Sequence, residues 1–171
     1  MTWTMIAGEL SVVARLRSFV LSIPARWVER LVLPEDAQVR ASTDRALAGI
    51  VEVGGKVYAG WDLGRLFGFG ANGGDWALLR LPHGANEAPI ALRMDRCLVV
   101  EEIEEMAPLN DALFESRAHA IRGVFRFTRS MGSLGRASIG FALDPLKLFT
   151  AEELERSIGA IDRVRAKEVR T

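Results

Sequence analysis

Apolar and polar positions alternate with a period of two over many short stretches of this chain, which is the pattern of half-buried β-strands. The alternation over residues 10–16 resumes in the opposite phase at Phe19, so a turn is predicted at residues 17 and 18. Residues 32–40 fit neither the strand nor the helix period. Strands are predicted over residues 10–16, 19–23, 50–53, 56–61, 76–81, 90–94, 97–103, 121–127 and 137–143.

A first helix is predicted directly after the second strand. Pro24 suits the first turn of a helix, and residues 25–31 hold good helix formers. The helix is expected to end before Pro34. Its inward-facing residues would be Val28, Leu31 and Val32.

A second helix is predicted at the C-terminal end of the chain. Thr150 and Glu153 have the spacing of a capping box, and Phe149 and Leu154 flank them as a hydrophobic staple. The apolar stripe of this helix comprises Leu154, Ile158 and Ile161. We interpret it as a helix packed on its own barrel, with a partner-binding helix as the alternative.

Residues 49–68 and residues 121–149 have the same shape. Each contains a glycine, an apolar strand, a glycine-containing turn, a second apolar strand and then Asp-x-x-x-Leu-Phe. Asp62 and Asp144 begin the two final motifs, and both are predicted to be N-caps because a carboxylate there can accept from backbone N–H groups of the following turn. The chain is therefore expected to contain two related β units.

The glycine-rich stretches indicate turns and not phosphate-binding loops. Gly54 and Gly55 supply the positive φ that a tight hairpin turn needs. Residues 68–73 match G-x-G-x-x-G, but the motif neither follows a strand nor opens a helix, so a flexible loop is expected. Residues 130–138 match neither a P-loop nor a nucleophile elbow and are interpreted as a hairpin tip.

Composition favours a single compact cytoplasmic protein. The chain has 171 residues, of which 49% are hydrophobic, enough for one sizeable core or two small barrels that share one. Its 22 basic and 22 acidic residues balance, so neither nucleic acid nor membrane insertion is expected. Cys97 is the single cysteine, and neither a secretory signal nor an apolar run of spanning length is apparent.

Few residues suggest catalysis, a metal or a cofactor, and none of the three is expected. His83 and His119 are isolated, and Cys97 within an apolar strand is best explained as a small buried hydrophobe. The acidic cluster formed by Glu101, Glu102, Glu104 and Glu105 could supply an acid and a base, but such runs are usually solvated strand ends. A small enzyme using Cys97 or this cluster remains the least favoured hypothesis.

The order of the blocks FVLSIPARWVERLV, GIVEVGGKVYAGWDLGRLFG, IALRMDRCLVVEEI, IRGVFRF and IGFALDPLKLF resembles the CheW-like family of chemotaxis coupling proteins. The resemblance covers nearly all of residues 10–149. It implies a mainly β fold of two intertwined five-stranded SH3-like barrels, with short helices and a C-terminal α-helix. On this basis the chain is divided into an extension (residues 1–8), a CheW-like domain (9–149) and an amphipathic helix (150–171).

The resemblance also implies a function and its partners. Members of the family are non-enzymatic adaptors that couple chemoreceptor signalling tips to a CheA-type histidine kinase. The family's Asn-Leu-Arg-Gly motif falls on residues 52–55, where Glu52 replaces the Asn and Gly54 replaces the Arg that supports receptor coupling. The residues expected to bind a partner are Glu52, Val53, Gly54, Gly55 and Val57.

These departures leave alternatives open. The chain could be a divergent coupling protein located at membrane-associated receptor arrays, binding the regulatory domain of the kinase, the receptor tip, or both. It could instead be an adaptor with this fold that has been reassigned to another partner, or a self-assembling module. Loss of the Arg removes the side chain best suited to a bidentate contact with a carboxylate, and Gly54 offers no replacement.

Overall fold

The computed structural model describes residues 2–109, 114, 116–126 and 139–171. Its strands are β1 (Thr4–Leu16), β2 (Phe19–Pro24), β3 (Val28–Val32), β4 (Gln38–Arg40), β5 (Gly49–Val53), β6 (Lys56–Asp62), β7 (Trp76–His83), β8 (Asn86–Arg93), β9 (Arg96–Ala107), β10 (Ile121–Arg126) and β11 (Ile139–Leu143). Its α-helices are α1 (Leu63–Leu66), α2 (Pro145–Leu148) and α3 (Ala151–Glu168). Turns of 3-10 helix cover Ala25–Trp27, Pro34–Asp36 and Ala118–Ala120.

The strands form two units, and one is inserted into the other. Strands β1, β2, β11, β10 and β9 close a five-stranded barrel in that order. The intervening strands form a six-stranded sheet in the order β3-β7-β8-β6-β5-β4. The predicted mainly β fold with two units is confirmed. The second unit differs in detail: β3 and β4 are its two end strands and do not pair with each other, so it remains a half-barrel.

Three apolar clusters fill the two units and the space between them. One cluster lies within the barrel and includes Val13 and Phe125, and another lies within the half-barrel and includes Val51 and Tyr58. The largest draws residues from both units and from α3, so it is a shared core. Successive residues of β7 belong to the half-barrel cluster and the shared core in turn, which explains why that strand is apolar on both faces.

The predicted helix over residues 25–31 is wrong. After the single 3-10 turn Ala25–Trp27 the chain enters β3, which pairs antiparallel with β7. The register places Val32 opposite Trp76 and buries it, whereas Leu31 is exposed. Pairing with a buried strand outweighs the helix propensity of these residues, as tertiary context commonly does.

The two related segments end in the same local structure. Gly54 and Gly55 form the two-residue turn between β5 and β6, with φ of +57° and +76°. Each segment ends in a strand that runs parallel to a neighbour, β6 to β8 and β11 to β2, and a four-residue helix follows. The turn of the second segment, and with it the glycine- and serine-containing loop at residues 130–138, lies outside the described residues.

Helix α3 packs on the half-barrel against β6 and β8. Leu154 and Ile161 of this helix are buried. Trp61 Nε1 of β6 donates a hydrogen bond of 2.9 Å to Ser157 Oγ of the helix. The interpretation of this helix as one packed on its own chain is therefore confirmed. Strand β1 begins at Thr4, while the division of the chain at residues 8 and 149 stays a prediction.

None of the helices in the described part of the chain combines the length and the apolar character needed to cross a membrane.

Candidate functional site

The five residues expected to bind a partner lie on the β5–β6 hairpin, and they differ in how far they are buried. Val53 belongs to the half-barrel cluster and Val57 to the shared core, so both are buried within the chain itself. Gly54 and Gly55 form the exposed tip, and a Cβ at either would meet no atom within 4 Å. The tip therefore offers backbone and open space, but the two valines contribute no apolar surface there.

Charged residues fix the hairpin beside its tip. Glu29 of β3 accepts hydrogen bonds from Lys56 Nζ at 3.1 Å, from Tyr58 Oη at 3.0 Å and from Arg80 Nε at 3.0 Å. Burial alone would raise the pKa of Glu29, but these hydrogen bonds and the charges of Lys56 and Arg80 lower it. Burial and the neighbouring Glu29 raise the pKa of Tyr58. The carboxylate thus joins β3 to β6 and β7 across one end of the half-barrel.

Glu52 has a partner that the sequence did not reveal. Its carboxylate accepts a hydrogen bond from Arg40 Nη2, and the same nitrogen donates to Glu168 Oε1 at 3.2 Å. The hydrogen bonds to Glu52 and Glu168 raise the pKa of Arg40. Arg40 ends the edge strand β4, and Glu168 is the last residue of α3. The candidate site therefore includes the sheet edge and the end of the C-terminal helix.

Asp62 is the N-cap of α1 and also the centre of a buried polar network. Its side chain accepts from Arg65 N at 3.1 Å, from Asn72 N at 2.9 Å and from Arg93 Nη2 at 3.0 Å. Asn72 Oδ1 in turn accepts from Gly64 N at 2.9 Å. The stretch over residues 68–73 is a loop, as predicted, but Asn72 holds it against α1 and β8.

Asp144 and Thr150 make local contacts at the other two helix starts. Asp144 Oδ1 accepts from Leu146 N at 3.0 Å. Thr150 Oγ1 accepts from Glu153 N at 3.2 Å, and Glu153 Oε2 accepts from Thr150 N at 2.9 Å, which completes the capping box. The role of these residues is structural, because their side chains determine where α2 and α3 begin.

The residues considered for catalysis are poorly placed for it. Burial and the charge of Asp75 raise the pKa of the Cys97 thiol to about 12, which disfavours the nucleophilic thiolate. The acidic cluster of residues 101–105 lies along β9, where Ile103 is buried and the neighbouring Glu102 and Glu104 are exposed. Within the described ranges, no group of three or more His, Cys, Asp or Glu side chains could hold a metal ion.

A scan against protein-family models and a search of curated proteins found no match. A search of solved structures found a similar fold in the scaffolding protein TtCheW from Thermoanaerobacter tengcongensis, with a TM-score of 0.60. The two sequences are 17% identical, and the likeness covers 85% of this chain and 90% of the other. The resemblance seen in the sequence is therefore confirmed at the level of the fold.

Proposed function

We propose that this chain is a non-enzymatic cytoplasmic adaptor that couples chemoreceptors to a CheA-type histidine kinase by protein–protein contacts. The observation that carries the proposal is the likeness to a scaffolding protein over most of both chains. The order of the sequence blocks over residues 10–149, which resembles that of the CheW-like family, supports the same assignment independently of the fold. The adaptor acts at receptor arrays on the cytoplasmic side of the membrane.

The chemistry of the chain supports an adaptor over an enzyme. An enzyme of this size would need a set of convergent polar groups with perturbed pKa values in a cleft. The raised pKa of Cys97 opposes nucleophilic chemistry, and the exposed Glu102 and Glu104 lie on the outside of β9. Partner recognition would use exposed strand edges and charged side chains, because most apolar side chains of the strands are buried in the three clusters.

The hairpin departures indicate which coupling step differs from that of other adaptors with this fold. Gly54 stands where the resemblance places an arginine, and Glu52 stands where it places an asparagine. Glu52 is already bonded to Arg40, so the hairpin presents an internal ion pair beside a bare glycine turn. We expect binding to the regulatory domain of the kinase to be kept and receptor contact to use different groups.

A binding measurement tests the proposal directly. The full chain is titrated with the purified regulatory domain of a CheA-type kinase and, separately, with the cytoplasmic tip of a chemoreceptor. We expect micromolar binding to at least one of them by calorimetry. Absence of binding to both at micromolar concentration would contradict the coupling function.

A self-assembling module is the second candidate, and the open half-barrel favours it. Strands β3 and β4 end the six-stranded sheet, and each has a strand neighbour on one side only among the described residues. Unpaired strand edges are able to pair with another copy. Sedimentation velocity at increasing concentration distinguishes this candidate, since a monomeric adaptor keeps a constant sedimentation coefficient.

A further inference from the structure

Helix α3 is attached to both the barrel and the half-barrel. The chain leaves the barrel at the end of β11, passes through α2 and enters α3, which packs on β6 and β8 of the half-barrel. In the first turn of α3, Glu153 Oε2 accepts a hydrogen bond of 2.8 Å from Arg117 Nη1, which lies between the barrel strands β9 and β10. One turn later, Ser157 Oγ accepts from Trp61 Nε1 of the half-barrel. The helix therefore lies across the two units as a strap.

Ion pairs at the surface contribute to the attachment of α3 to the half-barrel. Arg156 Nε and Nη2 donate to Asp44 Oδ2 and Oδ1 at 2.9 and 2.8 Å. Near the end of the helix, Arg40 Nη2 donates to Glu168 Oε1 at 3.2 Å. The side chain of Arg156 is 44% exposed, and those of Arg40 and Glu168 are about half exposed. Exposed ion pairs contribute little individually, and salt weakens them.

The apolar anchorage of α3 is limited to its first half. The large apolar side chains that it buries are Leu154 and Ile161. Every residue from 165 to 171 is exposed. Elements with few buried apolar contacts open more readily than the core of a protein. Local opening of α3 therefore requires the loss of only a small apolar contact.

Gly159 weakens the middle of this helix although the packing does not require a glycine. A glycine inside a helix favours the unfolded state relative to alanine, because its backbone loses more freedom. The nearest atom to an added Cβ, beyond the backbone of the helix itself, would be Arg163 Nη1 at 3.7 Å. This is an ordinary van der Waals distance, so an alanine would fit. The sequence thus lowers the stability of α3 at a position where no close contact demands it.

We propose that α3 is a releasable strap, which detaches from the half-barrel while both β-units stay folded and thereby loosens the junction between them. The junction is loosened because Glu153 leaves with the helix, and Arg117 loses the carboxylate that orients it. Arg117 also donates to the carbonyl oxygens of Leu66 and Leu148, which end α1 and α2. A partner that binds the released helix, or the face of β6 and β8 beneath it, would therefore act on the contact between the two units.

Hydrogen exchange of the full chain, followed by mass spectrometry, tests the strap. Asp44→Asn removes the charge that pairs with Arg156 and keeps an oxygen for the hydrogen bond from Ala46 N. Exchange in α3 should become about tenfold faster, as expected for loss of a charge-assisted hydrogen bond. Exchange in residues 116–121 should rise by a similar factor, although no hydrogen bond or ion pair joins Asp44 to that described segment. Exchange in β1 and β2 should not change.

Salt and a helix-stabilising substitution should shift the exchange of α3 in opposite directions. About 0.5 M NaCl should speed it about threefold, because the surface ion pairs are screened. Gly159→Ala should slow it about fivefold, because alanine has the higher helix propensity. Residues 116–121 should follow α3 in both cases. An exchange rate of α3 that is insensitive to both changes would overturn the proposal.

Asp162→Asn is the matched control for Asp44→Asn. Asp162 is an exposed carboxylate of α3 that forms no ion pair with any described residue, so its replacement should leave the exchange of α3 within about twofold. Equal effects of the two substitutions would contradict the proposal. So would exchange in α3 that always changes in step with β1 and β2, since the helix would then open only when the whole chain unfolds.

A further outcome distinguishes a strap from a fraying helix. If exchange becomes faster in α3 but not in residues 116–121, the helix opens without loosening the junction, and the proposal is wrong. These measurements need no partner. Their outcome is therefore independent of whether the chain binds the kinase domain or the receptor tip.

Discussion

The carbonyl oxygens of Leu66 and Leu148 accept hydrogen bonds from the same guanidinium group. Arg117 Nε donates to Leu66 at 3.2 Å, and Arg117 Nη1 donates to Leu148 at 2.6 Å. The two leucines end α1 and α2 and occupy equivalent positions in the two related segments. Arg117 also forms an ion pair with Glu153 in the first turn of α3. One side chain therefore connects both segments and the C-terminal helix.

Replacing this arginine should destabilise the chain strongly. Arg117→Gln removes a donor from two carbonyl groups and the cation that pairs with the largely buried carboxylate of Glu153, which should lower the free energy of unfolding by about 2–4 kcal/mol. Urea unfolding followed by tryptophan fluorescence measures the loss. Lys56→Gln is the control, because Lys56 is well exposed and its partner Glu29 keeps the hydrogen bonds from Tyr58 and Arg80, so the change should cost less than about 1 kcal/mol. Similar losses for the two variants would contradict a bridging role.

The two aspartate caps offer a matched comparison. Asp144→Ala removes a half-exposed N-cap and should cost about 0.5–2 kcal/mol. Asp62→Ala removes the same cap and also leaves Arg93 without the fully buried carboxylate that it contacts, so about 3–5 kcal/mol is expected. The difference between the two midpoints in urea isolates the buried network. Equal costs would show that Asp62 acts only as a cap.

Gly54 can be replaced by the arginine that the resembling family carries. Its φ of +57° should make Gly54→Arg cost about 1 kcal/mol, while the open space around the turn adds no clash. Gly54→Ala has the same backbone cost and controls for it. If the turn is a receptor contact, Gly54→Arg and not Gly54→Ala should strengthen binding to a receptor tip in calorimetry. Unchanged melting of both variants would show that the turn does not require glycine.

Cys97 should react slowly in the folded protein. With its pKa raised to about 12, the thiol is protonated at pH 8, so Ellman's reagent should react about a hundredfold or more slowly than in concentrated urea. The raised pKa stabilises the fold below the unfolded value of about 8.5, and this contribution is lost as the pH rises from there towards about 12. Cys97→Ala should remove this part of the loss of stability at alkaline pH. Comparable rates in the folded and unfolded chain would contradict the burial of the thiol.

Acid should weaken the contact between Glu153 and Arg117. Burial would raise the pKa of Glu153, but hydrogen bonds from Arg117 and Thr150 lower it overall. A carboxyl group with a lowered pKa stabilises the fold above its unfolded pKa of about 4.3, and the stabilisation is lost as the pH falls through the folded value. Urea midpoints measured between neutral and acidic pH should fall less steeply for Glu153→Gln than for the unaltered chain. Parallel slopes would be inconsistent with this coupling.

The local features of the fold could be predicted from the sequence. The hairpin at Gly54 and Gly55, the cap at Asp62 and the capping box at Thr150 are each determined by residues within a few positions, and each appears in the structure. The sequence predicts a helix over residues 25–31, because the register of Val28–Val32 with β7 cannot be seen locally. Strands buried on both faces also lack the alternation that marks an outer face.

The candidate site was harder to predict because its contacts are distant in sequence. Val53 and Val57 are predicted to bind a partner, and the structure buries each of them in one of the two clusters on either side of the sheet, which their spacing alone does not indicate. Arg40 contacts Glu168 across 128 positions of the chain, and no local pattern indicates that pair.

The insertion of one unit into the other determines the order in which the chain can fold during synthesis. Strand β1 meets β9 with Ser11 opposite Glu101, and β2 meets β11 with Leu21 opposite Phe141. The six-stranded sheet needs only residues 28–93, so it can form on the ribosome while the barrel is still an isolated hairpin. A nascent chain that stops before β11 would therefore have a complete half-barrel and an open barrel, in which β2 and β10 lack the strand that lies between them. Such a chain is prone to pair with other nascent chains through these two strands.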